Sequence, residues 1–147
     1  MTEPKGTLTD TGLLFALADA QGQPAQYARC KAIKPSLTLP MVTTWPCLAE
    51  VLYMSGKAGG WAMQRITLRL ITEGALRLHT PSEAETTRIL QLMEQYRDRP
   101  MDLADASLVA LAETAGYMRV FSIDSDFYVH RLADGTALEV VPGPLTH

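Results

Sequence analysis

The pattern of hydrophobic and polar positions changes its period repeatedly along the chain. Short apolar runs of strand length alternate with longer stretches in which apolar residues recur every three to four positions, as on one face of a helix. The short runs predict strands near residues 7–9, 37–43, 76–79, 120–123 and 137–141. Strands separated by helices are typical of βαβ units, so the pattern predicts an α/β fold with a mainly parallel central sheet.

Local signals mark the ends of several predicted helices. Helices are expected at about residues 12–20 and 25–34, and Pro46 suits the first turn of the next one. The glycine-rich segment 56–60 separates that helix from another at residues 61–72. Further along, Ser82 with Glu85 three residues later predicts a capping box, in which the two residues satisfy each other's amide donors.

Length and composition indicate one soluble globular domain spanning residues 1–147. The chain has 147 residues, of which 47% are hydrophobic and 20% are charged. No apolar stretch approaches the roughly 20 residues that a membrane span needs, and the N-terminus lacks the layout of a secretory signal. Cys30 and Cys47 are too few for a disulfide framework. We therefore expect a cytoplasmic protein without a membrane partner.

The net charge of −3 argues weakly against nucleic-acid binding, because proteins that bind polyanions non-specifically are usually basic. A site built from several carboxylates lowers the net charge by itself, and a bound metal would reverse the local field. Contact with RNA would then depend on a local cluster of cations. The candidates are Arg65, Arg69, Arg97, Arg99 and Arg131.

Acidic residues recur where predicted strands end and buried helices begin. Asp10 follows the first strand, and Asp124 and Asp126 follow the fourth. Glu50 is the only charge in an apolar helical run, and Asp105 lies in the first turn of another apolar helix. The carboxyl ends of parallel strands form the edge of a sheet at which ligand sites assemble. Carboxylates near apolar surface need a partner, and a divalent cation accommodates several at once.

Each of these acids also has a purely structural interpretation. Asp102 is well placed as a helix N-cap with Asp105 at the third helical position, where the helix dipole favours an acid by about 0.3–1 kcal/mol. Asp10 could cap the first helix, and Asp124 and Asp126 could close a turn. The recurrence of the same placement favours a functional role for Asp10, Asp105 and Asp124, and leaves Asp126 as either a second ligand or a turn former.

Two smaller groups of residues have alternative roles. The hydroxyls of Thr11 and Ser107 lie beside acids and could orient carboxylates, although small polar residues near helix starts are more often local caps. A set of large apolar side chains could form either core or a partner surface, and core is the expectation. These are Tyr53, Met54, Trp61 and Met63.

The order of the acidic motifs resembles that of PIN-domain ribonucleases, in particular toxins of the VapC type. The matching pieces are Asp10-Thr11, the Cys-Leu-Ala-Glu-Val run that holds Glu50, the Leu-Ala-Asp-Ala-Ser-Leu run that holds Asp105, and Ser-Ile-Asp-Ser-Asp-Phe, which begins at Ser122. Together they span roughly residues 6–131. The resemblance implies a three-layer α/β/α PIN-like fold and an acidic quartet of Asp10, Glu50, Asp105 and Asp124.

The resemblance also implies an activity and partners. Similar proteins are endoribonucleases that hydrolyse RNA phosphodiesters with Mg²⁺, for which Mn²⁺ can substitute. Asp10, Asp105 and Asp124 would hold the ion directly, with Asp126 as a further candidate ligand. Glu50 would complete the shell through a bound water or at a second metal. A cognate antitoxin protein and homodimerisation are also implied.

Two other functions remain open from the residues alone. The first is a PIN-like binding module without turnover. The second is a phospho-accepting receiver-type domain, which gathers acids at the same edge of a parallel sheet but usually has an acidic pair after the first strand and a lysine after the last. Here Asp10 stands alone, and Arg131 is the nearest cation near the end of the chain.

Overall fold

The computed structural model describes residues 5–99, 101–123 and 132–142. Within them lies one five-stranded sheet in the order β3-β2-β1-β4-β5, with every neighbouring pair parallel. Its strands are β1 (Thr7–Thr9), β2 (Met41–Thr44), β3 (Leu76–His79), β4 (Arg119–Ser122) and β5 (Glu139–Pro142). The predicted parallel α/β sheet is confirmed.

Helices cover both faces of this sheet. They are α1 (Thr11–Ala18), α2 (Pro24–Ile33), a short 3₁₀ helix (Lys34–Ser36), α3 (Trp45–Thr72), α4 (Glu83–Gln95) and α5 (Leu103–Ala115). Leu8 and Val120 pack with α4 and α5 in one core cluster, whereas Met41 and Phe121 pack with α1 and α3 in the other. Since successive strand residues point to opposite faces, two cores make three layers. The three-layer α/β/α architecture is therefore confirmed.

The second strand is shorter than predicted. Residues 37–40 were expected in it, yet β2 begins at Met41. Pro40 has no amide hydrogen to donate to a strand ladder, and its carbonyl accepts a hydrogen bond from the Thr7 amide at 3.0 Å. Leu37 is nevertheless buried and belongs to the core. The hydrophobic residue Leu37 thus indicates burial and not strand structure.

The helix α3 changes direction at Gly60, where φ is 67° and ψ is −156°. Gln64 Nε2, beyond that point, donates a 2.9 Å hydrogen bond to the carbonyl of Leu52, before it. The two parts of α3 are therefore in contact, and the predicted break between two helices is present at Gly60. The expectation that Tyr53 and Trp61 are core is wrong, because they are 66% and 63% exposed.

Two of the predicted helix caps are present. The Ser82 hydroxyl accepts a hydrogen bond from the Glu85 amide at 3.1 Å, and the Asp102 carboxylate accepts one from the Asp105 amide at 2.8 Å. The Glu85 carboxylate is not engaged as the capping box predicted, since it is hydrogen-bonded to Nε2 of His79 at 2.8 Å. None of the described helices is long and apolar enough to cross a membrane.

Candidate functional site

The site lies where the order of strands reverses. From β1 the chain proceeds to β2 and β3 on one side, then crosses to β4 on the other side of β1. In open parallel sheets, ligands bind in the crevice outside the carboxyl ends of the strands at such a switch point. Asp10 follows β1 directly, and Thr44 and Ser122 are the last residues of the two strands beside it.

Asp10 joins the two strands that flank the switch point. Its side chain is buried, with 4% of the residue exposed. One carboxylate oxygen accepts a hydrogen bond from the Leu13 amide at 2.9 Å, which caps α1, and the other accepts a short hydrogen bond from the hydroxyl of Ser122. The predicted capping role of Asp10 is therefore present, and it holds the carboxylate in one orientation at the crevice.

Glu50 lies between the starts of α1 and α5. Burial raises the pKa of the Glu50 carboxyl above its usual range, the negative charge of Asp102 raises it further, and a hydrogen bond with Thr11 opposes both. The Thr11 hydroxyl also contacts the carbonyl of Cys47 at 3.4 Å. The predicted supporting residue Thr11 and the acid Asp102 therefore act in opposite directions on the pKa of Glu50.

The start of α5 is fastened to the end of β2. The hydroxyls of Thr44 and Ser107 are 2.6 Å apart, and the Ser107 hydroxyl donates to the carbonyl of Ala104 at 2.7 Å. The thiol of Cys47 also lies 3.8 Å from that carbonyl. Ser107 therefore sets the position of the helix turn that carries the half-buried Asp105, and any support it gives to the acids acts through this placement.

The last two predicted acids, Asp124 and Asp126, lie outside the described residues. Within residues 5–99, 101–123 and 132–142, no group of three His, Cys, Asp or Glu side chains is arranged to hold a metal ion. Asp10 and Glu50 nevertheless supply hard oxygen donors of the kind that Mg²⁺ and Mn²⁺ prefer. The donor chemistry therefore fits such an ion, but Asp10, Glu50 and Asp105 are all described residues and do not form a group of three around one metal position.

Two contributors to the site were not predicted as site residues. Ser122 binds Asp10 because parallel pairing sets Phe121 beside Thr9, which brings the next residue of each strand together. Asp102 was predicted only as a cap, yet its charge acts on Glu50. Both effects require knowledge of which elements are neighbours. A polar residue at the end of a buried strand was the only local signal for Ser122.

The predicted arginine candidates occupy separate places. Arg65 and Arg69 are exposed on the second part of α3, one turn apart. Arg97 and Arg99 are exposed between α4 and α5, and Arg97 contacts Glu94 at 3.4 Å. Arg131 lies outside the described residues.

Comparison with known proteins yields structural relatives only. No family model matches the chain, and no curated protein matches it significantly. The crystal structure of Mycobacterium tuberculosis VapC20, described as a sarcin-ricin loop cleaving toxin, matches 84% of this chain and 93% of its own, with a TM-score of 0.74 and 18% identity. The chain has the fold of a VapC-type toxin.

A second structural match covers nearly all of both chains. It is a toxin–antitoxin complex from Klebsiella pneumoniae, which matches 96% of this chain and 97% of its own, with a TM-score of 0.64 and 16% identity. The resemblance drawn from the acidic motifs is therefore confirmed for the PIN-like fold. At these identities the comparison concerns the fold and leaves the roles of individual residues as predictions.

Proposed function

We propose that this chain is a metal-dependent endoribonuclease and the toxin of a toxin–antitoxin pair. The observation that carries the proposal is the buried carboxylate of Asp10, held between β1 and β4 at the switch point of a VapC-type fold. Glu50, a second carboxylate on the adjoining α3, has a pKa raised by burial and by a neighbouring acid, as expected where acids are gathered for a cation.

The chemistry follows from hard oxygen ligands. Asp10, Asp105 and Asp124 would hold Mg²⁺ or Mn²⁺, with Asp126 as a candidate fifth acid and Glu50 completing the shell. When bound, the ion would polarise the phosphodiester and lower the pKa of the attacking water. Leu13 and Ser122 fix the Asp10 carboxylate by hydrogen bonds, and the Thr11 hydroxyl lowers the pKa of Glu50. This arrangement needs no side-chain nucleophile.

Metal binding is tested first by calorimetric titration with Mn²⁺. The parent chain should bind saturably, and the Asp105→Asn variant should not. An ion that binds only the folded state adds about 2.7 kcal/mol to the free energy of unfolding at 100 times its dissociation constant. The melting temperature of the parent should therefore rise in millimolar Mg²⁺ or Mn²⁺. Absence of both effects in the folded parent would refute the metal site.

Cleavage is tested on structured RNAs with the parent chain, Asp10→Asn, and Glu94→Gln as a matched control. The control removes a charge from an exposed pair with Arg97. We expect cleavage by the parent and the control, with 5′-phosphate and 3′-hydroxyl products, and none by Asp10→Asn. A fragment containing the sarcin-ricin loop belongs in the panel because VapC20 is described as cleaving it. Equal cleavage by Asp10→Asn would refute the assignment.

The toxin role has its own test, because a nuclease need not be a toxin. Inducible cytoplasmic expression of the parent should arrest growth, and expression of Asp105→Asn at the same level should not. An antitoxin partner is supported by the fold shared with the toxin–antitoxin complex, and a homodimer remains a prediction for light scattering. Tight RNA binding without cleavage in Mn²⁺ would instead favour the PIN-like binding module.

A further inference from the structure

We propose that Tyr53 is a stacking platform for an RNA base beside the carboxylates, and that Lys57 pairs with the adjoining phosphate. This inference rests on the proposed function, since it takes RNA as the substrate. It names the residues that would position a nucleotide next to the reacting bond, and it assigns a role to an aromatic side chain that the folded core does not use.

Tyr53 shares a cleft with a residue of the candidate site. An open cleft of about 410 Å³ is lined by Ala49, Glu50, Tyr53 and Met54. Tyr53 lies one helical turn after Glu50, an axial rise of about 4.5 Å. With 66% of the residue exposed, its ring remains available to a ligand in this cleft. A base on the ring would therefore lie next to the acid that is proposed to complete the metal shell.

Lys57 adds a positive charge to the same helix face. Its ammonium lies 5.4 Å from the centroid of the Tyr53 ring, within the range of a cation–π contact. Glu50, Tyr53 and Lys57 are spaced by three and four residues, so they form one stripe along the first part of α3. Acid, aromatic ring and cation thus follow one another outward from the crevice.

This order of groups favours RNA over a protein segment as the occupant. A single-stranded nucleic acid is bound by aromatic rings that stack on bases and by cations that follow the backbone. A chain with net charge −3 must supply that positive charge locally. The stripe does so, beside carboxylates that would bind a metal and through it a phosphate. An apolar protein helix would match neither Lys57 nor Glu50.

The test compares two aromatic residues of α3 that are almost equally exposed. Tyr53→Leu retains apolar bulk but removes the ring, Tyr53→Phe retains the ring, and Trp61→Leu removes an aromatic residue that is 63% exposed beyond the kink at Gly60. Dissociation constants are measured by anisotropy with a labelled 12-nucleotide single-stranded RNA, on variants that also carry Asp105→Asn to prevent turnover. Melting temperatures are measured for each variant.

Stacking on an aromatic ring typically changes affinity by about 5- to 150-fold per base. We expect Tyr53→Leu to weaken RNA binding within that range. Lys57→Gln should weaken it less than Tyr53→Leu does, and the effect of Lys57→Gln should be larger at low salt than at high salt. Tyr53→Phe and Trp61→Leu should change the affinity less than about twofold. An RNA labelled with 2-aminopurine should show quenching that is lost in Tyr53→Leu. Equal affinity of Tyr53→Leu and the parent would overturn the inference.

The remaining outcomes separate this inference from the proposed function. If RNA binding depends on Tyr53 but the chain with Asp105 intact cleaves no RNA, the nuclease assignment is wrong and the stacking role of Tyr53 is supported. If the chain cleaves RNA and Tyr53→Leu leaves both KM and affinity unchanged, the platform fails alone. If Tyr53→Leu weakens binding of a protein partner but not of RNA, the cleft is a protein-docking site and the inference is overturned.

Discussion

The first turns of α4 and α5 share one local design and occupy different surroundings. Each begins with a side-chain cap and carries an acid three residues later: Ser82 with Glu85, and Asp102 with Asp105. Glu85 is buried and hydrogen-bonded to His79 at the end of β3. Asp105 is half-buried in a turn that lies beside the crevice. The same three-residue spacing therefore serves stability in one helix and candidate chemistry in the other.

Sheet topology accounts for the difference. The strand β3 is at the edge of the sheet, remote from the point where strand order reverses, and its local acid finds a partner on that strand. The start of α5 is held against the end of β2 by the contact between Thr44 and Ser107, and the charge of Asp102 reaches Glu50 on α3. An acid becomes a candidate ligand because of the elements around it, and the spacing alone does not decide its role.

The largest expected difference between the two turns is in RNA cleavage. Asp105→Asn should lower kcat/KM by at least about 100-fold, because even the outer partners of metal ligands typically contribute about 10- to 100-fold. Glu85→Gln makes the same chemical change in α4 and should leave kcat/KM within about twofold. Both rates are measured on one RNA substrate at saturating Mg²⁺. Equal losses in the two variants would mean that the contrast between the turns is wrong.

The second difference between the two turns is in stability, and here the larger effect is expected at Glu85. Glu85→Ala removes a partly buried hydrogen bond to Nε2 of His79, so the free energy of unfolding should fall by about 0.5–1.5 kcal/mol. Urea unfolding of the metal-free chain measures it. We expect Asp105→Ala to lower the free energy of unfolding by less than Glu85→Ala does, because Asp105 is half-buried whereas Glu85 is buried.

A double-mutant cycle with His79→Ala isolates the Glu85 interaction from the loss of side-chain packing. A coupling energy near zero between the two residues would show that their contact does not stabilise the fold. The two turns would then differ only in their effect on RNA cleavage, because Glu85 would have no stabilising role in α4.

Much of this architecture was predictable because it depends on local patterns in the sequence. The alternation of short apolar runs with helical periodicity predicts the strand order along the chain, and the glycine-rich segment before Trp61 predicts the change of direction at Gly60. The caps at Ser82 and Asp102 were also local signals, since a cap and its amide partner lie within one turn. Such features need no knowledge of distant neighbours.

The remaining features depend on neighbours that the sequence does not name. The bond between Ser122 and Asp10 requires that β1 pair with β4. The pairing of Glu85 with His79 requires the geometry of the connection after β3. Hydrophobicity predicted burial for Tyr53, but helical period alone cannot decide which side of a helix the sheet covers. The prediction therefore missed an exposed aromatic ring beside the candidate site.

A third comparison concerns the caps themselves. Ser82→Ala and Asp102→Ala each remove one side-chain acceptor for an N3 amide, at 3.1 Å and 2.8 Å respectively. Each should lower the free energy of unfolding by about 1 kcal/mol. Urea denaturation of the metal-free variants measures both. Only Asp102→Ala should also alter RNA cleavage, because the turn that it caps carries Asp105.

The smallest expected effect separates the charge of Asp102 from its capping role. Asparagine caps helices about as well as aspartate, so Asp102→Asn should change stability at neutral pH by less than about 0.5 kcal/mol. The Asp102 charge raises the pKa of Glu50, after burial, which is the larger cause. The pKa of Glu50 should therefore fall in the variant but remain above its usual range, and carboxyl NMR in the presence of a chelator measures it.

The pH dependence of stability tests the direction of the shift in the pKa of Glu50. A carboxyl whose pKa is higher in the folded than in the unfolded chain stabilises the fold at low pH, and that contribution is lost as pH rises through the folded pKa. The metal-free parent should therefore lose stability as pH rises through the titration of Glu50, and Asp102→Asn should lose less. Ser82→Ala, a change in the other helix start, should follow the parent's slope. An unchanged pKa of Glu50 in Asp102→Asn would show that the charge of Asp102 does not act on Glu50.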